Sequence, residues 1–236
     1  MNPTNLNILY EDNYIIVCVK PHGIATQNQR VGTPDMVSLL KNHISRTTPQ
    51  GKEPYLAVIH RLDQPVTGIL VFAKTPFAAK ELNQQLTTKG FGKYYRALIS
   101  SAHLPEEGTL ENYLVKDTKT NTSRVCAKDT PNAKIARLNY KIIREGQGNF
   151  NWGRSFFEKT PSPIEPLEVE IKLDTGRHHQ IRVQFAHIGC PLIGDTKYNP
   201  NAQITGQWQQ ICLCAYKLDF IHPKTKKSMH FQIDSL

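Results

Sequence analysis

Cysteine is sparse and shows no pattern: five residues, at 18, 126, 190, 212 and 214, with no CxxC pair. An odd count without regular spacing argues against a disulfide scaffold and against the usual zinc sites, and fits a reducing compartment. Cys212 and Cys214 are two positions apart, so on a strand they share one face as small buried thiols. No apolar run approaches the roughly 20 residues of a membrane-spanning helix. The start, Met1 to Asn7, lacks the basic and apolar stretches of a secretory leader. A cytoplasmic protein with no membrane association is therefore expected. Internal repeats and low-complexity tracts are also missing, which removes solenoids and long disordered tails from consideration. Acidic residues are in the minority, 20 against 29 Lys plus Arg, for a formal charge of +9. Such an excess suits a polyanionic partner, nucleic acid first, although a basic protein that is merely soluble would look the same.

What is present begins with enough apolar content, 39% of 236 residues, to bury a core. Ile8–Tyr10 and Tyr14–Val19 read as strands around a polar turn, ending at Lys20-Pro21-His22-Gly23. Thr33 and Pro34 look like a cap and first-turn proline for a helix carrying Met36, Leu39, Leu40, His43 and Ile44. Ile69–Ala73 is an unbroken apolar strand after Gly68. A second helix is expected from Pro76 to Lys89, with Phe77, Ala78, Leu82 and Leu86 on its apolar face and Gly90 as its stop.

Lys116 to Arg137 reads as an exposed basic hairpin or loop, and Gln147 to Pro166 as a surface loop. Leu167, Val169, Ile171 and Leu173 alternate with polar residues as a half-buried strand does. Residues 178–188 then place Ile181, Phe185 and Ile188 on one helical stripe, and strands from Ile211 to Phe220 and Met229 to Ile233 close the chain around a basic turn. Strands and helices in this arrangement imply one α+β domain over residues 1–236, with a central mixed, largely antiparallel sheet flanked by helices and loops.

Three clusters carry candidate chemistry. His60-Arg61-Leu62-Asp63, followed by Gln64-Pro65-Val66-Thr67-Gly68, sets a base, a cation and a carboxylate just before a turn. An Asp there could equally cap the turn. Thr175-Gly176-Arg177-His178-His179-Gln180-Ile181-Arg182 feeds a glycine turn into a helix start rich in cations, where Arg177 would add to an anion site. By four-residue spacing, Arg182 shares a helix face with His178; the bland alternative for Arg182 is a solvated surface residue. Lys93-Tyr94-Tyr95-Arg96 sets aromatic rings among cations, which suits base stacking beside phosphate contacts and equally suits an ordinary strand.

In this order, the clusters resemble the RluA-type family of RNA pseudouridine synthases along nearly the whole chain. His-Arg-Leu-Asp with Thr67-Gly68, Lys93-x-Tyr95-x-Ala97 and Gly176-Arg177-x-His179-Gln180-Ile181-Arg182 carry the likeness, together with Lys20-Pro21-x-Gly23, Gly194-Asp195 with Tyr198, and His222-Pro223 with Phe231. Val66 stands where the family usually has Thr, a departure that bears on substrate identity more than on chemistry. The resemblance implies the pseudouridine synthase fold, no cofactor and no metal; many relatives carry an added RNA-binding module on a basic N-terminal extension, and no separate N-terminal RNA-binding domain is expected in this sequence. It also implies an RNA partner, either ribosomal or transfer RNA, with a monomer as the default state.

By the same resemblance Asp63 is the essential carboxylate, Arg182 the guanidinium that keeps it ionised, and Tyr95 the ring stacked on the target base. Arg61 is associated with holding the place of the flipped nucleotide. His60, Lys93, Lys116, Lys119, Arg124 and Arg177 are the further candidate RNA contacts. Two rivals stay open here: a non-catalytic RNA-binding protein with the same fold, and another base-acting enzyme. A zinc deaminase lacks support, since its CxxC pair is missing.

Overall fold

The computed structural model describes residues 6–28, 32–46, 52–88, 90–100, 104–143, 150–152, 166–200, 202 and 210–235. Among these the chain is α+β, as expected, with a large sheet-forming majority and three helices. Its cores gather into two compact units, residues 1–92 with 215–233 and residues 93–214 with 234–236.

The first unit starts with a hairpin of β1 (Asn7–Glu11) and β2 (Ile15–Lys20), turned by Asp12, whose Oδ1 accepts the Tyr14 and Ile15 N–H groups at 2.7 and 2.9 Å. β2 pairs antiparallel with β4 (Thr67–Ala73), from Ile15 opposite Ala73 to Lys20 opposite Gly68. Every residue of β4 is buried, which is why its sequence is apolar without alternation. The short β3 (Ala57–Val58) also pairs with β4, and β10 (Leu213–Ile221) pairs with β11 (Ser228–Gln232), giving the order β1-β2-β4-β10. Ile15, Val17, Ile69, Val71, Leu82 and Phe220 meet in the core of this unit. His222 fastens its periphery: Nε2 meets Asp12 Oδ2 at 2.8 Å, while Nδ1 accepts the Lys224 and Thr225 N–H groups.

Two expectations about its helices need correction. α1 (Met36–Ser45) is capped by Asp35, not Thr33. Asp35 accepts the Ser38 N–H at 2.7 Å and Ser38 Oγ accepts the Asp35 N–H at 3.0 Å. A carboxylate in a reciprocal box answers the helix's unpaired amides better than a hydroxyl two residues further out. α2 (Pro76–Thr87) has the expected proline in its first turn, capped by Thr75. Phe77, however, is 47% exposed and meets Tyr14 edge-on at 6.4 Å, leaving Ala78, Ala79 and Leu82 to face the core. The buried stripe thus begins one residue, about 100° of helix, after the phenylalanine.

In the second unit β5 (Gly92–Ile99), β9 (Leu167–Leu173), β8 (Lys134–Ile143), β6 (Glu107–Asp117) and β7 (Thr122–Cys126) pair antiparallel in that spatial order. The basic stretch after Lys116 is indeed a hairpin, β6–β7, followed by β8. α3 (Gln180–His187) is two residues later in starting than the sequence suggests, and Ile188 lies past its end, 37% exposed. Most of the expected loop from Gln147 to Pro166 lies outside the described residues.

Gly68 has φ +143°, and a Cβ built on it would lie 2.6 Å from both the N and the Cβ of Ala215 on β10. Gly68→Ala is therefore expected to destabilise the protein by ~2–5 kcal/mol through overpacking and backbone strain, read as a lower urea midpoint.

Candidate functional site

Asp63 sits on the turn that leads into β4, partly buried, with its carbonyl accepting the Val66 N–H at 3.0 Å. The chain before and after it is fastened from two sides. Thr26 Oγ1 donates to the Leu62 carbonyl at 3.0 Å and accepts the Leu62 N–H at 3.1 Å. Gln64 exchanges bonds with Gly23, its carbonyl accepting the Gly23 N–H and its Nε2 donating to the Gly23 carbonyl.

Beneath this turn lies Lys20, fully buried. Its ammonium donates to the carbonyls of Pro21, Ile24 and Gln64 at 2.9, 2.8 and 3.1 Å. Three acceptors match the three N–H bonds of the charged form. Burial pulls its pKa down to about 7, and the Asp63 carboxylate opposes that shift. Lys20 had no role assigned from its motif alone. The readable signal was a lysine ending an otherwise apolar strand just ahead of a proline.

His60 and Arg61 part company. Nε2 of His60 accepts the Val71 N–H at 3.3 Å and its ring meets Phe91 at 5.5 Å, so the imidazole braces β4 from inside the unit. Arg61 is exposed.

In the second unit the Gly176–Arg182 motif is a polar knot, and the helix reading of it needs revision. His178 and His179 precede α3, and His179 itself is left-handed, with φ 55° and ψ 25°. His178 and Arg182 therefore share no helix face; the rings of His178 and His179 stack instead at 3.7 Å. Nor is Arg182 a solvated surface residue: it is 4% exposed, and its Nε and Nη2 donate to Asp195 Oδ2 and Oδ1 at 2.8 and 2.7 Å. Asp195 Oδ1 also accepts the Lys197 N–H. The Arg182 Cζ lies 5.1 Å from the centre of the Tyr198 ring.

The Tyr198 hydroxyl meets His179 Nδ1 at 2.7 Å and accepts the Ser123 N–H at 2.8 Å. Burial, then the charges of Arg182, His178 and Lys197, push the His179 pKa down to about 3. His179 is thus a neutral imidazole at physiological pH, joined through Nδ1 to the Tyr198 hydroxyl. Asp195 and Tyr198, like Lys20, lie in motifs that are visible in the sequence while their tasks are not.

Gln180 closes the glycine turn, accepting the Thr175 hydroxyl and the Arg177 N–H on Oε1. Arg177 in turn donates from Nε to the Ile135 carbonyl at 2.8 Å. Lys93 comes close by: its Nζ would be 3.1 Å from a Cβ at Gly176, and burial together with Arg177 lowers its pKa. Two cations at one glycine turn suit an anion. Tyr95, on the same strand as Lys93, is buried at 7% exposure. Along the β6–β7 hairpin and into β8, Lys116, Lys119, Arg124, Lys128 and Lys134 are all exposed, and among the described residues none of them forms an ion pair.

A family profile described as RNA pseudouridylate synthase matches residues 13–187. The chain belongs to that family. It is accordingly an RNA pseudouridine synthase, an isomerase acting on RNA. It is 27% identical over 98% of its length to an uncharacterized RNA pseudouridine synthase of Helicobacter pylori (strain J99 / ATCC 700824), covering 67% of that protein.

Identity is 30% with a Bacillus subtilis (strain 168) protein of the same description, over 98% of this chain and 69% of that one. With the ribosomal large subunit pseudouridine synthase D of Vibrio parahaemolyticus it is 31%, over 96% and 66%. The chain thus spans about two thirds of the length of these relatives. The human RNA pseudouridylate synthase domain containing 4 shares the fold, with a TM-score of 0.72 at 21% identity over 96% of this chain and 87% of that one. Human RNA pseudouridylate synthase domain containing 1 also superposes with a TM-score of 0.72, at 19% identity over 99% and 86%.

The depressed His179 pKa has a consequence for stability. The unfolded chain takes up a proton near pH 6.5 while the folded imidazole stays neutral down to about 3, so the stability His179 allows is present above 6.5 and lost as pH falls. Between pH 6 and pH 4 the wild type should lose ~1.4 kcal/mol per pH unit more than His179→Asn, a residue that tolerates the left-handed backbone and cannot titrate. Urea unfolding midpoints of the two proteins across that range measure the difference; parallel curves would show that His179 is protonated in the fold.

Proposed function

We propose that Asp63 is the essential carboxylate of this pseudouridine synthase and that its substrate is a uridine in ribosomal RNA of the large subunit, with transfer RNA the alternative. The observation that carries the assignment is the setting of Asp63. Its turn is fixed by Thr26, Gly23 and the fully buried Lys20, which is the rigid support a catalytic loop residue needs. Two relatives named as ribosomal large subunit pseudouridine synthases, D and C, support the ribosomal target.

Isomerisation breaks the glycosidic bond at the uracil nitrogen and rejoins the ring through carbon 5, so a carboxylate that acts as nucleophile or base must be ionised. A guanidinium favours the charged form. In this proposal Arg182 is the guanidinium of the reaction, and two of its five N–H donors bind Asp195. Tyr95 stacks on the uracil and takes the carbon 5 proton late in the reaction. Arg61, exposed on the turn, fills the place of the extruded nucleotide, since a base inside a stack cannot be reached. Asp63, Tyr95 and Arg182 are the catalytic residues of this reading, and residues 1–236 its catalytic domain.

RNA phosphates are held by Lys93 and Arg177 at the glycine turn and by Lys116, Lys119 and Arg124 on the hairpin. His60, which braces β4 by accepting the Val71 N–H, is a further candidate contact. The enzyme works as a cytoplasmic monomer without metal or cofactor.

Asp63→Asn should fold and bind RNA but form no pseudouridine, and Arg182→Ala should lose turnover while keeping its far-UV spectrum. Nucleoside analysis of treated large-subunit ribosomal RNA reads both; substantial pseudouridine from Asp63→Asn removes this carboxylate from the mechanism, and bound but unmodified RNA with the wild type would indicate a binding protein. Lys119→Gln with Arg124→Gln should weaken RNA binding uniformly across sequences and reduce the slope of log K against log salt by ~1–2, measured by titration at several salt concentrations.

A further inference from the structure

Tyr198 lies outside every role assigned above, yet it occupies a junction. Ser123 sits on β7, and its N–H turns to Tyr198. Its side chain faces the same direction, since its hydroxyl meets His178 Nδ1 at 2.9 Å and the residue is only 6% exposed. Two residues earlier, at the left-handed Asn121 of the hairpin tip, the carbonyl accepts the Lys197 ammonium at 3.0 Å. The short segment from Asp195 to Tyr198 thus grips the hairpin at its tip and its edge, while Asp195 grips Arg182. The aromatic face of Tyr198 lies against that same guanidinium.

We infer that Tyr198 is a positioning residue that couples the basic β6–β7 hairpin to Arg182, its hydroxyl joining the hairpin edge to His179 and its ring face bracing the guanidinium. This rests on the reading of the hairpin as an RNA contact and of Arg182 as part of the reaction. The chemistry is one of shared parts. The hydroxyl accepts from Ser123 and bonds Nδ1 of the neutral His179, so one group ties the hairpin edge to a ring that stacks on His178. The ring itself holds one side of a buried cation, a contact that gains strength when water is excluded. RNA that engages the hairpin phosphates therefore loads an element whose edge is bonded to the residue supporting Arg182.

The two halves of the side chain can be separated. Tyr198→Phe keeps the ring and deletes the bridge to Ser123; Tyr198→Leu deletes both. Amide hydrogen exchange of residues 118–126, on the whole protein and without RNA, should rise at least several-fold in Tyr198→Phe, and Lys197→Met, an exposed change that leaves the core alone, should raise exchange only toward the tip. With RNA, Tyr198→Phe should raise KM by about 5- to 10-fold with a smaller fall in kcat, whereas Tyr198→Leu should in addition slow turnover itself, lowering kcat by about an order of magnitude.

Unchanged hairpin exchange in Tyr198→Phe would overturn the coupling. So would equal kcat values for Phe and Leu, or a parallel loss of kcat and KM effects that tracks only the folded fraction. Exchange needs neither turnover nor RNA, so a wild type that makes no pseudouridine defeats the Asp63 reading separately and leaves the hairpin measurement to decide this one.

Discussion

Taking a guanidinium out of water costs several kcal/mol even after relaxation, and a buried pair is tolerable only when its geometry is good and its remaining donors and acceptors are met. Arg182 and Asp195, at 4% and 1% exposure, set that constraint for the second unit. Two parallel charge-assisted bonds satisfy one edge of the guanidinium, the Lys197 amide shares the carboxylate, and Tyr198 covers a face. Around them α3 is buried through polar side chains as much as apolar ones. Gln184 donates to the Leu110 and Ala136 carbonyls and to Asn112, and Gln180 closes the turn before the helix. Removing any one partner leaves a buried group short of bonds, so the network holds its geometry collectively.

The first unit solves the same problem with Lys20. Its cradle is made of main-chain carbonyls rather than a carboxylate, so the ammonium ties the Pro21–Ile24 turn to the Asp63 turn. A cation held beneath the turn by carbonyls adds rigidity there, and the Asp63 carboxylate in return favours its charged form.

Strand positions were legible because burial on both faces of β4 and alternation in β9 write themselves directly into residue type. Helix ends were less so. Thr33 and Asp35 are both competent caps in sequence; only the reciprocal bond with Ser38 separates them. Phe77 looked like core because it is large and apolar, but the registry set by Ala78 and Leu82 turned it outward. His178 looked helical because a left-handed residue at position 179 cannot be foreseen in a histidine. The candidate site was legible as motifs and opaque as bonding: Lys20, Asp195 and Tyr198 all stood in recognisable runs, and their tasks depend on partners 44, 13 and 75 residues away along the chain.

The cations of this protein fall into two populations with different physics. Arg182, Lys20 and Arg96, the last flanked by Glu168 and Glu170 across the β5–β9 pair, are buried and answered by protein groups, so salt scarcely screens them. Lys116, Lys119, Arg124, Lys128 and Lys134 are exposed and without ion-pair partners among the described residues, so their field reaches into solvent and falls with ionic strength. A chain that only needed solubility would have little reason to keep five exposed cations, without ion pairs among the described residues, on and beside one hairpin while pairing the buried ones so closely. Phosphates are the natural complement of the exposed group, and a single ionised carboxylate that of Arg182. The hairpin is where these two demands adjoin, because the Asp195–Tyr198 segment that supports Arg182 also holds Asn121 and Ser123. The exposed cations and the buried guanidinium thereby belong to neighbouring parts of one polar network, and neither can shift without straining the bonds of the other.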